Sequence, residues 1–569
     1  MKRKIKSVPK DSGKGTKSLS ASAAPDAAAS KIHAKRDYVL LGTALVLATV
    51  LAFIGLTNHM LWDDEANTAL FGRSFLKTGT LTGVDGANII GYREGAELDE
   101  NLINTYTPPL QYWVAAAGMR LFGETTFGAR FLFVAAGLLA LIPLFFWVRW
   151  HFSGSLLPWL PVLLVAASPA YLLYIRQCRY YPLAMLFTAL LLALYSYPKS
   201  SLRSTVLTAI SGAFMAILLM FTNYLNAVAI AGVLPLFLML HRYRNKQQII
   251  FLSAVFGAFL CSGIYVLITA NPLLHDVAVK GEIVGIARYG ILLWWHITGL
   301  GSFEFFPLLV PFILLTCFAL RLFKEVRTLA GEGLLIVVGM IIYIGVTVTF
   351  SPQPVFRASL HADMRYGVPL ILIGSVVTAC AVYALWQCGR SLSRVLAVGL
   401  TLLVVTTNVA ALGFIGGQPL TSTIYTYVRE NLNHYTTGPE SLVMYIRKLP
   451  PGKAVQVLPP NMVYPAMFYA PGMHYCCQLD PDKAIRNDLV GRLPDYAFTG
   501  RTRPDYIFIG TVRSVAEIQA LADRQYGTGV YKVKEVLSGH YRDFSRPEIP
   551  HHKFESSIGP GFIVLEKAT

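Results

Sequence analysis

Eleven times between residues 38 and 416 the chain runs for about twenty residues almost without charge, and nothing else limits its fold as much. An α-helix needs about that length to cross a bilayer core. In lipid only helices and closed barrels satisfy their own backbone groups. The runs lie near 38–58, 127–149, 156–175, 182–198, 204–222, 224–241, 249–270, 303–320, 332–350, 366–387 and 394–416. They predict an all-α polytopic membrane protein with about eleven transmembrane helices. With 54% hydrophobic and 14% charged residues, a soluble chain of this length is excluded.

The charges are clustered. Much of the net +17 comes from a tail bearing Lys2, Arg3, Lys4, Lys6, Lys10, Lys14, Lys17, Lys31, Lys35 and Arg36. This tail, residues 1–37, is rich in small and polar residues and is expected to be disordered and cytoplasmic. Its charge favours anionic lipid rather than nucleic acid. The first run starts late and has no small-residue cleavage site, so it reads as an uncleaved span. Alternating from there, the short cytoplasmic loops hold Arg149; Lys199 and Arg203; Arg242, Arg244 and Lys246; Arg321, Lys324 and Arg327; Arg390 and Arg394. Every one is basic, as the positive-inside rule requires. An odd number of spans places residues 417–569 outside.

The first outer loop, about 59–126, opens on LWDDEANTAL, with Asp63, Asp64 and Glu65 in succession. Acids at a membrane surface are costly and call for a reason. Residues 64–77 predict a helix closed by Gly79. PPLQYWVAAAGMRLFG predicts a second, too short to cross and suited to the interface plane, ended by Gly123. GILLWWHITG at 290–299 reads as a re-entrant or interfacial helix. Within 417–569, strand-like KAVQVLP, HYCCQL, DYIFIG, VYKVKEVL and FIVLEKA alternate with helix-like NMVYPAMFYA and SVAEIQALADRQY, which predicts a small α/β domain on the outer side. It has no phosphate-binding glycine motif and no nucleophile elbow. The seven cysteines lie mostly in apolar runs, and no spacing resembles a zinc site, although His474 stands beside the adjacent Cys476 and Cys477.

Taken together, Asp64 and Glu65 after span one, PPLQYW at 108–113, RLFG at 120–123 and Ala129-Arg130 at span two resemble the GT-C fold transferases of lipid-linked sugars. These include the protein O-mannosyltransferases, the lipid A aminoarabinose transferases and galacturonosyltransferase-like bacterial proteins. YIRQCRYYPLAML at 174–186 is similar to that family's SxEARxYxL stretch, and RYGVPLIL at 365–372 to its RYLLPLLP. Two positions depart: Thr107 stands where many members have Lys or His before the prolines, and Gln177-Cys178-Arg179 replaces Glu-Ala-Arg.

The resemblance implies a bacterial inner-membrane enzyme that takes a sugar from a polyprenyl phosphate and gives it to a lipid or protein acceptor on the outer face. A base must take the acceptor proton, and a fixed cation must meet the departing phosphate. For the base it implies Asp64, with Asp63 and Glu65 alongside, against the plainer reading of these acids as helix-capping charges. For the phosphate, Arg176, Arg179, Arg365 and Arg130 are the candidates, with Lys77 and Arg93 behind them, because arginine forks suit phosphate. Snorkelling to headgroups is the plainer alternative. Trp113, Tyr112, Tyr180 and Tyr181 are expected to line a substrate groove, though interfaces are aromatic-rich in any case. No cofactor is fixed, and a divalent cation stays possible. A transporter or flippase is the competing class, but it predicts internal repeats and midplane charges that the sequence lacks.

Overall fold

Helix α1 (Ala27–Phe53) runs without interruption from the tail through the first apolar stretch. Residues 27–37 are therefore helical rather than disordered, as the strong helix former Ala at 27–29 favours. The computed structural model describes residues 27–91, 95, 98–152, 156–269, 290, 319–350, 364–389, 391–407, 422–434, 436–479, 489–510, 513–540 and 558–568. α1 stops at Phe53, five residues short of the expected end, because the chain turns at Gly55 with φ +56°. A Cβ there would lie 1.8 Å from the carbonyl oxygen of Asn431, so only glycine fits this close approach.

The segment between the first two apolar runs forms both of the helices expected there. α2 (Asp63–Thr78) ends at Gly79, whose left-handed backbone lets its N–H reach the Phe75 carbonyl. A short hairpin of β1 (Val84–Asp85) and β2 (Asn88–Ile89) follows, then α3 (Leu110–Phe122). α2 packs along α3, and α3 along α4 (Thr126–His151).

The third apolar run is not one helix. It breaks into α5 (Trp159–Ala166) and α6 (Pro169–Ile175), where the Ser168 side chain accepts from the Tyr171 N–H and Pro169 has no N–H to continue the ladder. α7 (Tyr181–Ser196), α8 (Leu202–Thr222) and α9 (Tyr224–Val233) follow, the last tightening into a 3₁₀ stretch Leu234–Met239 at Pro235. Then come α10 (Lys246–Thr269), α11 (Arg327–Phe350), α12 (Leu370–Gln387) and α13 (Ser391–Thr406). Six of the described helices, α1, α4, α8, α10, α11 and α12, are long and apolar enough to cross a membrane. The expected spans at 303–320 (apart from 319 and 320) and the helix at 290–299 (apart from Gly290) lie outside the described residues, so these residues do not fix the count of eleven.

The end of the bundle remote from α2 carries its own polar cluster. Arg242 donates to both Glu332 oxygens at 2.8 and 2.9 Å, Tyr243 joins His151 and Ser196, and Lys199 donates to the Leu194 and Tyr195 carbonyls that end α7. A cation is favoured where a helix presents its last carbonyls.

Beyond residue 422, α14 (Thr423–Leu432), α15 (Gly438–Ile446), α16 (Val463–Tyr469) and α17 (Val515–Tyr526) accompany a five-stranded sheet. Its strands are β3 (Ala454–Leu458), β4 (His474–Tyr475), β5 (Tyr506–Ile509), β6 (Tyr531–His540) and β7 (Ile558–Lys567), in the order β4-β3-β5-β7-β6. β3 is parallel to β4 and β5, and β7 runs antiparallel between β5 and β6. Alternation sorts the faces: Ile507, Ile563 and Leu565 pack with Ile518 and Ala522 of α17, whereas Phe508 and Val564 join the main core. Edge strand β6 carries Lys532, Lys534 and Glu535, charges that discourage further pairing.

Candidate active site

The three consecutive acids have three different fates, because helix geometry points successive side chains about 100° apart. Glu65 is fully buried. Its carboxylate takes Arg130 Nε at 2.9 Å and Nη2 at 2.5 Å, and also the Cys178 N–H at 2.7 Å. Arg130 spends its remaining donors on the carbonyls of Leu56, His59 and Met60. Asp63 accepts the Asp64 N–H at 3.0 Å and the side-chain amide of Asn461.

Asp64 faces two arginines from distant segments. Arg179 Nη2 lies 3.1 Å and Arg365 Nη1 3.0 Å from the same oxygen, Asp64 Oδ2. The side chains of Asp64, Arg179 and Arg365 keep 23%, 14% and 22% of their exposure, against 0% for Glu65 and 2% for Arg130. Among these five described side chains, the reachable charges are thus one carboxylate and two guanidiniums. Burial disfavours the Arg179 charge, but the Asp64 carboxylate and the phenols of Tyr181, Tyr180 and Tyr112 outweigh it, and its pKa is raised. Thr68, one turn after Asp64, lies 3.3 Å from Arg179 Nη1.

Arg176, though next to this group in sequence, turns away. It donates to the Ile54 and Gly55 carbonyls at 2.6 and 2.8 Å and to the Tyr427 hydroxyl at 3.0 Å, closing the end of α1. Lys77 pairs with Asp85 at 3.1 Å, and Arg93 lies outside the described residues. Tyr180 and Tyr181 are buried and stack edge-on, with Arg179 over the Tyr180 ring. Tyr112 is buried against Phe71, with its hydroxyl accepting from Asn104. Trp113, the next residue on α3, is 42% exposed, so these neighbours do not share one wall.

Residues that sequence reasoning missed come from the sheet region. Asn461 stands in the short turn just after β3, at the carboxyl end of a parallel strand, where open α/β sheets place their functional loops. That position was the available signal. Tyr469 accepts the Leu61 N–H at 2.9 Å and bonds Thr126 at 2.7 Å. Arg73, buried in α2, donates to the Phe468 and Met467 carbonyls and pairs with Asp85, tying α16 to the hairpin. Among the described residues no group of three or more His, Cys, Asp or Glu side chains is placed to hold a metal ion.

No protein-family model matches the chain, and no curated protein matches it. Solved structures do. The crystal structure of ArnT from Cupriavidus metallidurans bound to undecaprenyl phosphate superposes with a TM-score of 0.51 at 13% identity, covering 92% of this chain and 97% of that one. The arabinofuranosyltransferase AftD from Mycobacteria matches at a TM-score of 0.41 and 12% identity, over 93% of this chain and 41% of that one. The first of these likenesses shows that the chain has the GT-C fold of a multi-pass membrane protein.

Proposed function

We propose that the protein is a membrane glycosyltransferase that moves a monosaccharide from a polyprenyl phosphate to an acceptor hydroxyl, on lipid A, another glycan or a protein. The acid-bearing end of the bundle faces the outside of a bacterial plasma membrane, since the opposite end gathers the basic loops. The observation that carries this reading is Asp64 held between Arg179 and Arg365 while its neighbouring charges are committed elsewhere. ArnT, whose fold this chain shares, holds undecaprenyl phosphate, which supports a polyprenyl-phosphate donor here.

The steps follow from the charges. The donor phosphate docks on the guanidiniums of Arg179 and Arg365, whose planar forks can each give two hydrogen bonds. They exchange part of their contact with Asp64 for phosphate oxygens, which leaves the carboxylate free to accept a proton. Asp64 takes the proton of the acceptor hydroxyl as its oxygen attacks the anomeric carbon. The bond from that carbon to the phosphate oxygen breaks, and polyprenyl phosphate leaves with its negative charge facing both arginines. With Asp64 the one reachable carboxylate among the described residues of this group, a single displacement that inverts the anomeric centre is favoured over a covalent glycosyl-enzyme. Glu65, Arg130 and Arg176 hold the surrounding backbone in this scheme, and Asp63 is set by Asn461.

Asp64→Asn is expected to lower sugar transfer from extracted lipid-linked donors by about 10²- to 10⁴-fold while polyprenyl phosphate still binds. Full activity in that variant would remove the base assignment. Mass spectrometry of lipid-linked sugars accumulating in cells without the protein identifies the donor.

A further inference from the structure

Arg365 stands on a weak platform. Its residues, Met364–Gly367, form a short 3₁₀ turn against α9 and α11, outside any long helix. A polar chain buried in the bundle reaches this turn from below. Tyr343 of α11 lies 3.0 Å from the Tyr366 carbonyl oxygen, through its hydroxyl, and the same hydroxyl lies 2.5 Å from the side-chain amide of Asn226 on α9. Both Tyr343 and Asn226 are fully buried.

One phenol has one proton to give. With the Asn226 oxygen toward Tyr343, the hydroxyl faces two acceptors, and the Asn226 amide N–H has no partner among the described residues. Turning the amide over, which changes no packing, gives the hydroxyl both a donor and an acceptor. The chain then runs from the Asn226 N–H to the Tyr343 oxygen, and from the Tyr343 O–H to the Tyr366 carbonyl. It ends one residue from the guanidinium that lies 3.0 Å from Asp64. The Asn223 side chain caps α9 by accepting the Asn226 backbone N–H at 3.0 Å, which fixes where the chain begins. Polar side chains within the apolar layer are expensive, and these two spend their capacity on one turn.

We propose that Tyr343 and Asn226 are positioning residues for Arg365, setting the height and direction from which its guanidinium meets the lipid phosphate. This rests on the reading of Arg365 as a phosphate ligand, and the test separates the two. Binding of undecaprenyl phosphate to the purified full chain in nanodiscs is measured beside binding of undecaprenol, which has the same tail and no phosphate. Tyr343→Phe, which keeps the ring and removes one hydroxyl, is expected to weaken phosphate-lipid binding about 5- to 10-fold and leave undecaprenol binding unchanged. Asn226→Leu is expected to do the same, and serves if Tyr343→Phe fails to insert. Adding Tyr343→Phe to Arg365→Ala is expected to cost nothing more than Arg365→Ala alone, the non-additivity of residues acting through one group. Additive losses, equal weakening for both lipids, or unchanged phosphate-lipid binding in Tyr343→Phe would each overturn the positioning role. Unchanged phosphate-lipid binding in Arg365→Ala would instead remove the phosphate role itself, and the inference with it.

Discussion

At the scale of single residues, the pair Glu65–Arg130 separates stability from chemistry. Neither side chain reaches solvent, and every Arg130 donor is used, so removing one partner strands a buried charge. Such losses cost about 3–5 kcal/mol. Arg130→Ala is therefore expected to lower the unfolding temperature and the yield of inserted protein, whereas Asp64→Asn leaves both near the parent value. Thermal unfolding of the two variants in one detergent checks this, and equal melting would contradict the division. The sequence made the acids and arginines visible as a set. It could not say which acid is reachable, because Asp63 is answered from Asn461 and Glu65 from Arg130, far along the chain. Arg176 and Arg179 looked equivalent for the same reason: only the fold turns one toward α1 and the other toward Asp64.

At the scale of elements, the turn after α1 gathers charge around a buried imidazole. His59 stacks on His434, and its pKa is lowered to about 3, first by burial and then by Arg130 and Arg176, with His434 and His540 adding to it. Above about pH 6.5 the imidazole is neutral in folded and unfolded chains alike. Between about 6.5 and 3 only the unfolded chain takes the proton, so folding stability falls as pH falls, by about 2 kcal/mol from pH 6.5 to 5. Nearby Glu440, its pKa raised by burial, works the other way as it protonates. Unfolding temperatures across pH 7 to 5 are expected to fall less steeply in His59→Gln than in the parent; parallel slopes would clear His59 of the effect. Most elements were readable because each carries its own signal: twenty-residue apolar runs, Gly79 and Gly123 as stops, alternating strands. The break before α6 was readable too, in Ser168-Pro169, but a hydropathy count runs across it.

For the whole molecule, the question is what the sheet region does. It grips the first loop at Arg73, Asn88, Tyr469 and Glu440 and reaches the acids through Asn461. Asn461→Ala is expected to lower the transfer rate about 10-fold with little change in the donor's KM, because Asp63 and the backbone it steadies loosen while the arginines stay. A rise in KM alone would show that the contact serves donor binding instead. The sequence showed no catalytic motif in this region; the one signal it offered was the place of Asn461 just after a strand-like run, since the contribution is a single amide set by that strand end.

The strand that closes this sheet, β7, is also the last in chain order, inserted between β5 and β6. A ribosome therefore delivers the spans, the acids and both arginines well before the piece on which the Asn461 turn depends. The residues of the proposed reaction are translated before the sheet that holds Asn461 is complete. Chains cut short before residue 558 should insert normally and remain silent.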